Sequence, residues 1–252
     1  MAGFDPSGGA GVILDLQVFR SLGFQGTAIV TAMTSQNIRE VLEIKPLPAS
    51  FVWSQYQALK KDFSWRGIKL GLVGGKALFP LVRRFLEEQA AFPRVVDPVF
   101  RSSSGVWFLE PESIPAFLKI ISGRASIITP NLPEARLITR MRIREAEDME
   151  KAARKIFELT GIPCLLKGGH LLGPVVDVLF TGQKTRVFIS SRIPVEVHGT
   201  GCFLSASLLA YLSRGYGLEE ACQLALRFTR KAIAKASKKR GRRTIFSFVP
   251  GV

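Results

Sequence analysis

Residues that form disulfides or bind transition metals are scarce in this sequence. It contains three cysteines and two histidines among 252 residues. Cys164, Cys202 and Cys222 are odd in number and have no paired spacing, which excludes a disulfide framework and a C-x-x-C metal or redox motif. The histidines add no metal-ligand spacing, so we expect no zinc site.

Long apolar runs are missing as well. The most apolar segment, from Cys202 to Leu212, contains two serines and is shorter than the roughly 18 residues that a membrane span needs. The first residues carry an acid and a proline where a secretory signal would have a basic region and an apolar core. We therefore expect a cytoplasmic protein without a membrane partner. The hydrophobic fraction of 47% predicts one globular domain over residues 1–252.

Acidic residues are outnumbered, 20 against 35 basic ones, which gives a net charge of +15. Nine of the basic residues lie between Arg227 and Arg243, a segment without an acid. We favour a solvated helix face, followed by a basic tail from about 237 to 252, over nucleic-acid binding, because no aromatic residues interleave with the charges beyond Arg230 and no zinc-finger or RNA-binding signature is present. A positive field that attracts an anionic small substrate is a third interpretation.

Short apolar runs alternate along the chain with amphipathic segments. A parallel sheet covered by helices on both faces is the architecture that this alternation predicts, with ligands at the carboxyl ends of the strands. Lys184 to Ser190 follows Val175 to Phe180 after a Thr-Gly-Gln turn, which indicates a hairpin. The strands are expected within 27–32, 67–72, 94–97, 126–129 and 163–167, and the helices within 12–21, 51–59, 78–89, 145–159, 201–212 and 218–236.

Small and polar residues follow several of these strands. Gly199-Thr200-Gly201 leads into an apolar helix and predicts an anion site, since glycines admit a ligand to the backbone and a helix start presents free N–H groups. At that helix start we expect Cys202 to have a lowered pKa and to be partly thiolate. A tight turn with an inert, buried Cys202 is the alternative.

Other strand ends supply further candidates. Asp97 and Glu134 can orient the waters of a Mg²⁺ ion, although Glu134 can equally be a carboxylate that stabilises a helix N-terminus. Gln36 offers a donor and an acceptor suited to the edge of a heterocycle, or is a surface glutamine. Gly8 to Gly11 opens a helix as a ligand loop or a flexible turn. Neither a dinucleotide fingerprint, nor a P-loop, nor a G-x-S-x-G elbow is present.

Six short motifs in register resemble one family. AGFDPSGGAG, TAMTSQN, DPV, TPNLPEA, LLKGGH and HGTGC are similar to motifs of the hydroxymethylpyrimidine/phosphomethylpyrimidine kinases, in the ribokinase-like superfamily. The similarity runs from Ala2 to about Ala236. It implies a three-layer α/β/α fold with a mostly parallel sheet, Mg-ATP as phosphoryl donor and a role in thiamine biosynthesis. The expected reaction is phosphorylation of 4-amino-5-hydroxymethyl-2-methylpyrimidine and then of its monophosphate.

The resemblance also assigns roles by position. Gln36 would bind the pyrimidine edge, Lys167 would approach the nucleotide phosphates, and Asn131 and Glu134 would organise Mg²⁺, with Asp97 nearby. Cys202 would take the place that sugar kinases of the superfamily fill with an aspartate base. The pyrimidine pocket would be lined by Asp5, Ala10, Leu72 and Val99, and the anion hole formed by Gly199, Thr200 and Gly201.

Three departures from the family pattern stand out. The family has an apolar strand before the A-G-x-D motif, so we expect this chain to lack its first strand or the natural product to begin upstream of Met1. Ser103 stands where the family has a loop lysine, and Arg101 is the substitute we expect for its charge. The third departure is the replacement of the family's tail by residues 240–252.

Two other functions stay open at this point. A pyridoxal kinase of the same fold would share the anion hole, although the context of Gln36 and the HGTGC motif favour the pyrimidine. A non-catalytic, ligand-sensing relative with a basic tail is the second. We expect the pyrimidine and ATP as partners, no nucleic acid, and leave a homodimer open.

Overall fold

A computed structural model describes residues 1–171, 173–237 and 243–246, with the side chains of 237 and 243 left aside. Short apolar runs form the parallel strands where sequence patterning places them, and residues 68–70, 95–96, 127–128 and 164–166 are all buried, as expected of strands covered on both faces. The strands are β1 (Ala2–Phe4), β2 (Val30–Gln36), β3 (Val41–Pro46), β4 (Ile68–Leu70), β5 (Arg94–Val96), β6 (Ile127–Ile128), β7 (Cys164–Leu166), β8 (Val175–Phe180), β9 (Thr185–Ser190), β10 (Glu196–Val197) and β11 (Arg243–Thr244).

Eight helices occur in the described residues. Gly161 ends one of them with a φ of 66°, the left-handed conformation expected of a glycine after a helix. No helix in these residues has the length and apolar content needed to cross a membrane. The helices are α1 (Gly11–Ser21), α2 (Ala49–Asp62), α3 (Phe79–Glu88), α4 (Ile114–Ile121), α5 (Leu132–Thr139), α6 (Ala146–Thr160), α7 (Thr200–Ser213) and α8 (Leu218–Ser237).

A six-stranded sheet in the order β4-β5-β6-β7-β8-β9 forms the centre. Its first four strands are parallel, and β8 and β9 form the antiparallel hairpin that the sequence predicts. A second sheet, β1-β2-β3, continues it at the β4 side, where the Gly71 amide donates a hydrogen bond to the carbonyl of Met1 at 2.9 Å. The predicted, mostly parallel arrangement is confirmed.

The first strand corrects one expectation. Residues 2–4 form β1, which pairs in parallel with β2, so a first strand is present in the described chain and not missing. It is three residues long. Asp5 follows it directly, at the carboxyl end of the strand.

Successive strand residues face opposite helix layers. Val95 and Ile127 pack with α7 and α8, whereas their neighbours Val96 and Ile128 pack in the cluster that includes α2 to α6. The side-chain alternation of a strand therefore builds two cores, one on each face. The α/β/α layering that the sequence predicts is confirmed.

The basic segment is only partly described. Arg227 and Arg230 lie on α8, and the Arg230 guanidinium donates to the carbonyl oxygen of Ser191 at 2.7 Å. Residues 238–242 and 247–252, which carry most of the expected basic tail and of the altered C-terminal sequence, lie outside the described residues.

Candidate active site

The strand ends converge on one cavity of about 670 Å³. It lies at the carboxyl ends of β1, β2 and the neighbouring strands, where a parallel sheet presents its loops. Most of the residues expected to contact substrate or phosphate line it together: Asp5, Ala10, Gln36, Leu72, Val99, Asn131, Gly199, Thr200 and Gly201.

Two glycine-rich loops meet at the base of this cavity. Gly199 precedes α7 with a φ of 80°, and no described side chain caps the amides of that helix start. The loop before α1 contains Gly8 and Gly11 at positive φ, and its Gly9 backbone packs directly against Gly199. Uncapped amides at a helix start bind anions, so this junction can hold a phosphate group.

A carboxylate lies in the wall of the same cavity. Asp5 lies 3.0 Å from the ring Nε2 of His198 and accepts a hydrogen bond from the Ser7 amide at 2.8 Å. Burial alone would raise the pKa of Asp5, but the hydrogen bonds from His198, Gln36 and Ser7 outweigh it and lower the pKa. The carboxylate therefore stays charged and fixes the Gln36 amide within the cavity wall.

A second cavity of about 520 Å³ lies beside the first, between the β8–β9 hairpin and α8. Lys167 lines it, together with Arg227 and Arg230 of the basic segment. The two cavities share a wall that is formed by Gly169, Arg192, Val195, Thr200 and Gly201. A ligand in one cavity can thus reach a ligand in the other past the start of α7.

Lys167 forms an ion pair beneath this shared wall. Its Nζ donates to Asp97 Oδ1 at 2.9 Å, where Asp97 is buried and Lys167 is partly buried. The Ser205 hydroxyl donates to the other oxygen of Asp97 at 3.1 Å. Although burial alone would raise the pKa of Asp97, the charges of Lys167 and Lys69 lower it, so Asp97 is ionised.

Glu134 is engaged in a capping box. Its carboxylate accepts from the Asn131 amide N–H at 2.8 Å, and Asn131 Oδ1 accepts from the Glu134 amide at 2.9 Å. Both side chains therefore hold the start of α5, as the helix-terminus alternative predicts. Burial raises the pKa of Glu134 to about 8, and the nearby Asp97 adds to the rise.

The carboxylate oxygens near Lys167 fit a magnesium ion whose remaining ligands are waters and the phosphate oxygens of a nucleotide. Among the described residues, no group of three histidine, cysteine or acidic side chains could hold a metal alone. Asp97 and Glu134 nevertheless supply oxygen donors close to Lys167, and Mg²⁺ usually keeps waters and phosphate oxygens beside one or two carboxylates.

Cys202 differs from its expectation. Burial raises the pKa of its thiol to about 11, and this outweighs the lowering by the charge of Lys69 and by the hydrogen bond from the Gly11 amide. The prediction of a partly ionised thiolate is wrong, because burial destabilises the charged thiolate more than Lys69 and the Gly11 amide stabilise it. The cysteine is protonated at neutral pH.

The loop that follows β5 also contributes to the cavity. Arg101 lines it and donates through Nε to the carbonyl of Gly105 at 2.8 Å, while its guanidinium lies 4.8 Å from the ring centre of Trp107. Ser103 lines the same cavity. The positive charge expected at this loop is thus present at Arg101, held against Trp107.

Several residues of the site were not singled out from the sequence. His198 belongs to the HGTGC motif, but nothing in the motif pairs it with Asp5, 193 positions away. Ser205 lies in the apolar run of α7, where a lone serine gives a weak signal. Arg192 donates to the carbonyls of Gly169 and Gly173 and had no distinguishing pattern.

Comparison with known proteins identifies this arrangement. The sequence model of the family described as phosphomethylpyrimidine kinase matches residues 5–245. The chain belongs to the phosphomethylpyrimidine kinase family. It is a kinase, that is, a phosphotransferase. Five of the six motifs lie within the matched region, and the first, which begins at Ala2, overlaps its start.

Individual relatives agree with the phosphomethylpyrimidine kinase assignment. A hydroxymethylpyrimidine/phosphomethylpyrimidine kinase of Aquifex aeolicus is 37% identical over 248 residues, which cover 96% of this chain and 95% of that one. The crystal structure of a Clostridium difficile phosphomethylpyrimidine kinase superposes with a TM-score of 0.79 at 34% identity, over 92% of this chain and 96% of that one.

The fold is also similar to that of a pyridoxal kinase. The Staphylococcus aureus pyridoxal kinase in complex with AMP-PCP and pyridoxal superposes with a TM-score of 0.84 at 28% identity, over 96% of this chain and 89% of that one.

Proposed function

We propose that this kinase transfers the γ-phosphoryl group of ATP to the hydroxymethyl group of 4-amino-5-hydroxymethyl-2-methylpyrimidine, and then to the resulting monophosphate, in thiamine biosynthesis. One observation carries the proposal: a single cavity is lined both by the polar side chains of Asp5 and Gln36 and by an uncapped helix start at Gly199. The names of the relatives support the same substrates.

The substrate ring lies at the Asp5 end of the cavity. Gln36 offers one donor and one acceptor to the ring edge, and its amide is fixed by Asp5, which is itself held by His198. Leu72 and Val99 supply apolar contacts to the faces of the ring. The hydroxymethyl group then points toward Gly199 and Gly201, where phosphate arrives.

The phosphate end acts by charge and alignment. Phosphoryl transfer needs positioning and neutralisation of the equatorial oxygens more than covalent help. The amides at Thr200 and Gly201 face the transferred group, and Lys167 lies at the shared wall. The nucleotide occupies the second cavity, between the β8–β9 hairpin and α8, with its phosphates toward Lys167.

Asp97 and Glu134 are the residues that would hold Mg²⁺, through waters and phosphate oxygens. When bound, the ion neutralises phosphate charge. Lys167 stays paired with Asp97 and keeps its ammonium beside Gly201, where a Cβ atom would lie 3.1 Å from Nζ. The lysine can therefore contact a phosphate that approaches the anion hole without leaving its carboxylate.

Cys202 orients the attacking hydroxyl and is not a preformed base. Its thiol is protonated at neutral pH, so it cannot accept the alcohol proton in the resting enzyme. The proton therefore leaves late, as the new P–O bond forms and the alcohol becomes more acidic.

A phosphorylation assay tests the proposed reaction. Purified full-length chain is incubated with Mg-ATP and the pyrimidine alcohol, and products are separated by mass. We expect the monophosphate first and the diphosphate later. ADP release without a phosphorylated pyrimidine, or binding without turnover, would contradict the proposal.

Pyridoxal is the second candidate substrate, because the Staphylococcus aureus pyridoxal kinase shares the fold closely, with a TM-score of 0.84. Equimolar pyrimidine alcohol and pyridoxal in one assay compare the two directly. We expect the pyrimidine to be phosphorylated faster. Preference for pyridoxal would reassign the substrate while leaving the kinase chemistry unchanged.

We also propose a homodimer. Met33 and Leu42, on the β2–β3 hairpin beside the active-site cavity, are 42% and 67% exposed, and exposed apolar groups favour association. Light scattering after gel filtration should give twice the chain mass. A monomer at micromolar concentration would contradict this.

A further inference from the structure

A buried ion pair lies beneath the phosphate end of the site. Lys69 of β4 and Asp15 of α1 are 4% and 6% exposed, and the lysine ammonium donates to the carboxylate. Its strand neighbours Ile68 and Leu70 face the core on the opposite side of the sheet. Strand alternation therefore turns the charge of Lys69 toward the layer of α1 and α7.

The pair connects the two loops that form the anion hole. The Lys69 ammonium also donates to the carbonyl of Cys202 at 3.4 Å, in the first turn of α7. Asp15 lies one helical turn after Gly11, whose amide donates to the Cys202 sulfur. One ammonium thus contacts α1 through Asp15 and the first turn of α7 through the Cys202 carbonyl.

The charge of Lys69 acts on the Cys202 thiol. Although burial alone would lower the pKa of Lys69, the carboxylate of Asp15 outweighs it and keeps the lysine charged. Among the groups that face the thiol, Lys69 and the Gly11 amide lower its pKa, and Asp97 and Asp15 raise it. Lys69 has the largest effect of these four.

We propose that Lys69, oriented by Asp15, is a positioning residue for phosphoryl transfer, which fixes the first turn of α7 and with it Cys202 and the anion hole. This inference rests on the proposed function for its kinetic consequence. The effect on the reactivity of the Cys202 thiol can be measured without substrate turnover. The two can therefore fail separately.

The first measurement is the rate of carbamidomethylation of Cys202 by iodoacetamide between pH 8 and 10, followed by peptide mass spectrometry. Cys164 and Cys222 are fully buried and serve as internal references. Lys69→Met keeps the side-chain length and removes the charge. We expect about a three- to tenfold slower reaction at each pH, because one pKa unit changes the thiolate fraction tenfold.

The second measurement is steady-state kinetics of the same variant. We expect kcat to fall at least about tenfold and the KM for ATP to stay within about twofold, because only alignment at the start of α7 is lost. Lys60→Met is the matched control. Lys60 also forms an ion pair, with Glu88, but it lies on α2 away from both cavities.

Removal of one partner of a buried pair can prevent folding. The double variant Asp15→Asn, Lys69→Met removes both charges of the pair. Both measurements are made on this variant if the single variant does not fold. We expect the same directions with a smaller effect on the thiol, since Asp15 raises its pKa. A folded variant with wild-type thiol reactivity, or with wild-type kcat, overturns the proposal. Loss of pyrimidine turnover in the wild type, with the thiol effect intact, would contradict the proposed function alone.

Discussion

A Cβ atom on Gly199 would lie 1.9 Å from the carbonyl oxygen of Gly9. The two residues belong to glycine-rich loops at opposite ends of the chain, and each starts a helix. Their contact is backbone against backbone, and no side chain fits between them. The anion hole therefore depends on glycine for space as well as for its φ of 80°.

Gly199→Ala should accordingly lower the free energy of unfolding by more than the positive φ alone predicts. Gly215 provides the matched control, since its φ is 89° and a Cβ atom there meets nothing within 4 Å. A positive φ costs roughly 1–2 kcal/mol for alanine at either position, and overpacking adds about 1–3 kcal/mol at Gly199 only. Urea unfolding of both variants measures the difference. Equal losses would mean that the Gly9 loop moves aside without cost.

Gln36→Ala should weaken binding of the pyrimidine by roughly 1–3 kcal/mol, because polar ring atoms lose their hydrogen-bond partners in the cavity. Affinity for ATP should not change. Isothermal titration with each ligand tests both statements, and Gln183→Ala, in the exposed β8–β9 turn, is the control. A similar loss for both ligands would place Gln36 outside the substrate site.

Cys202→Ala should lower turnover by about two orders of magnitude, because the attacking hydroxyl loses the thiol that orients it, with little change in nucleotide affinity. Cys202→Ser separates orientation from acid–base chemistry. A hydroxyl can hold the substrate alcohol as a protonated thiol does, so we expect the serine variant to keep more activity than the alanine variant. If both variants turn over at the same reduced rate, orientation by hydrogen bonding is not what the thiol contributes.

Asp177 predicts a pH-dependent stability. It accepts the Gly168 amide at 3.0 Å, and burial raises its pKa from 3.8 to about 6. Between these values the unfolded chain loses the proton before the folded chain does, so the contribution to stability present below pH 4 is lost as the pH rises to 6.

Asp177→Asn keeps an acceptor for Gly168 and cannot ionise. Relative to wild type it should gain about 2 kcal/mol between pH 4 and pH 7, as two pKa units imply. Urea unfolding of both proteins at these two pH values gives the comparison. A constant difference between them would contradict the raised pKa.

Most strands of the two sheets could be predicted from the sequence, because they are short apolar runs flanked by turns. β3 could not, since Leu42, Glu43 and Lys45 are exposed and the strand shows no buried face. α4 was also missed. It is one short apolar stretch with Pro115 as its second residue, and such a stretch does not distinguish a helix from a strand.

Some residues of the active site could likewise be predicted from the sequence and others could not. Strand-end motifs predicted which residues line the cavity, since parallel strands bring their carboxyl ends together. Pairs that form across the chain, such as Asp15 with Lys69, give no local signal. The thiol of Cys202 was misjudged because its protonation depends on how much water the fold removes, which spacing along the chain does not report.

The wall shared by the two cavities has a consequence for inhibition. Thr200 and Gly201 separate the proposed nucleotide and pyrimidine sites, so a phosphate chain that passes them could join both halves in one molecule. Such a bisubstrate compound would occupy the second site at the effective concentration set by its short linker, in the millimolar range for a flexible one. Its affinity would then exceed that of either half alone.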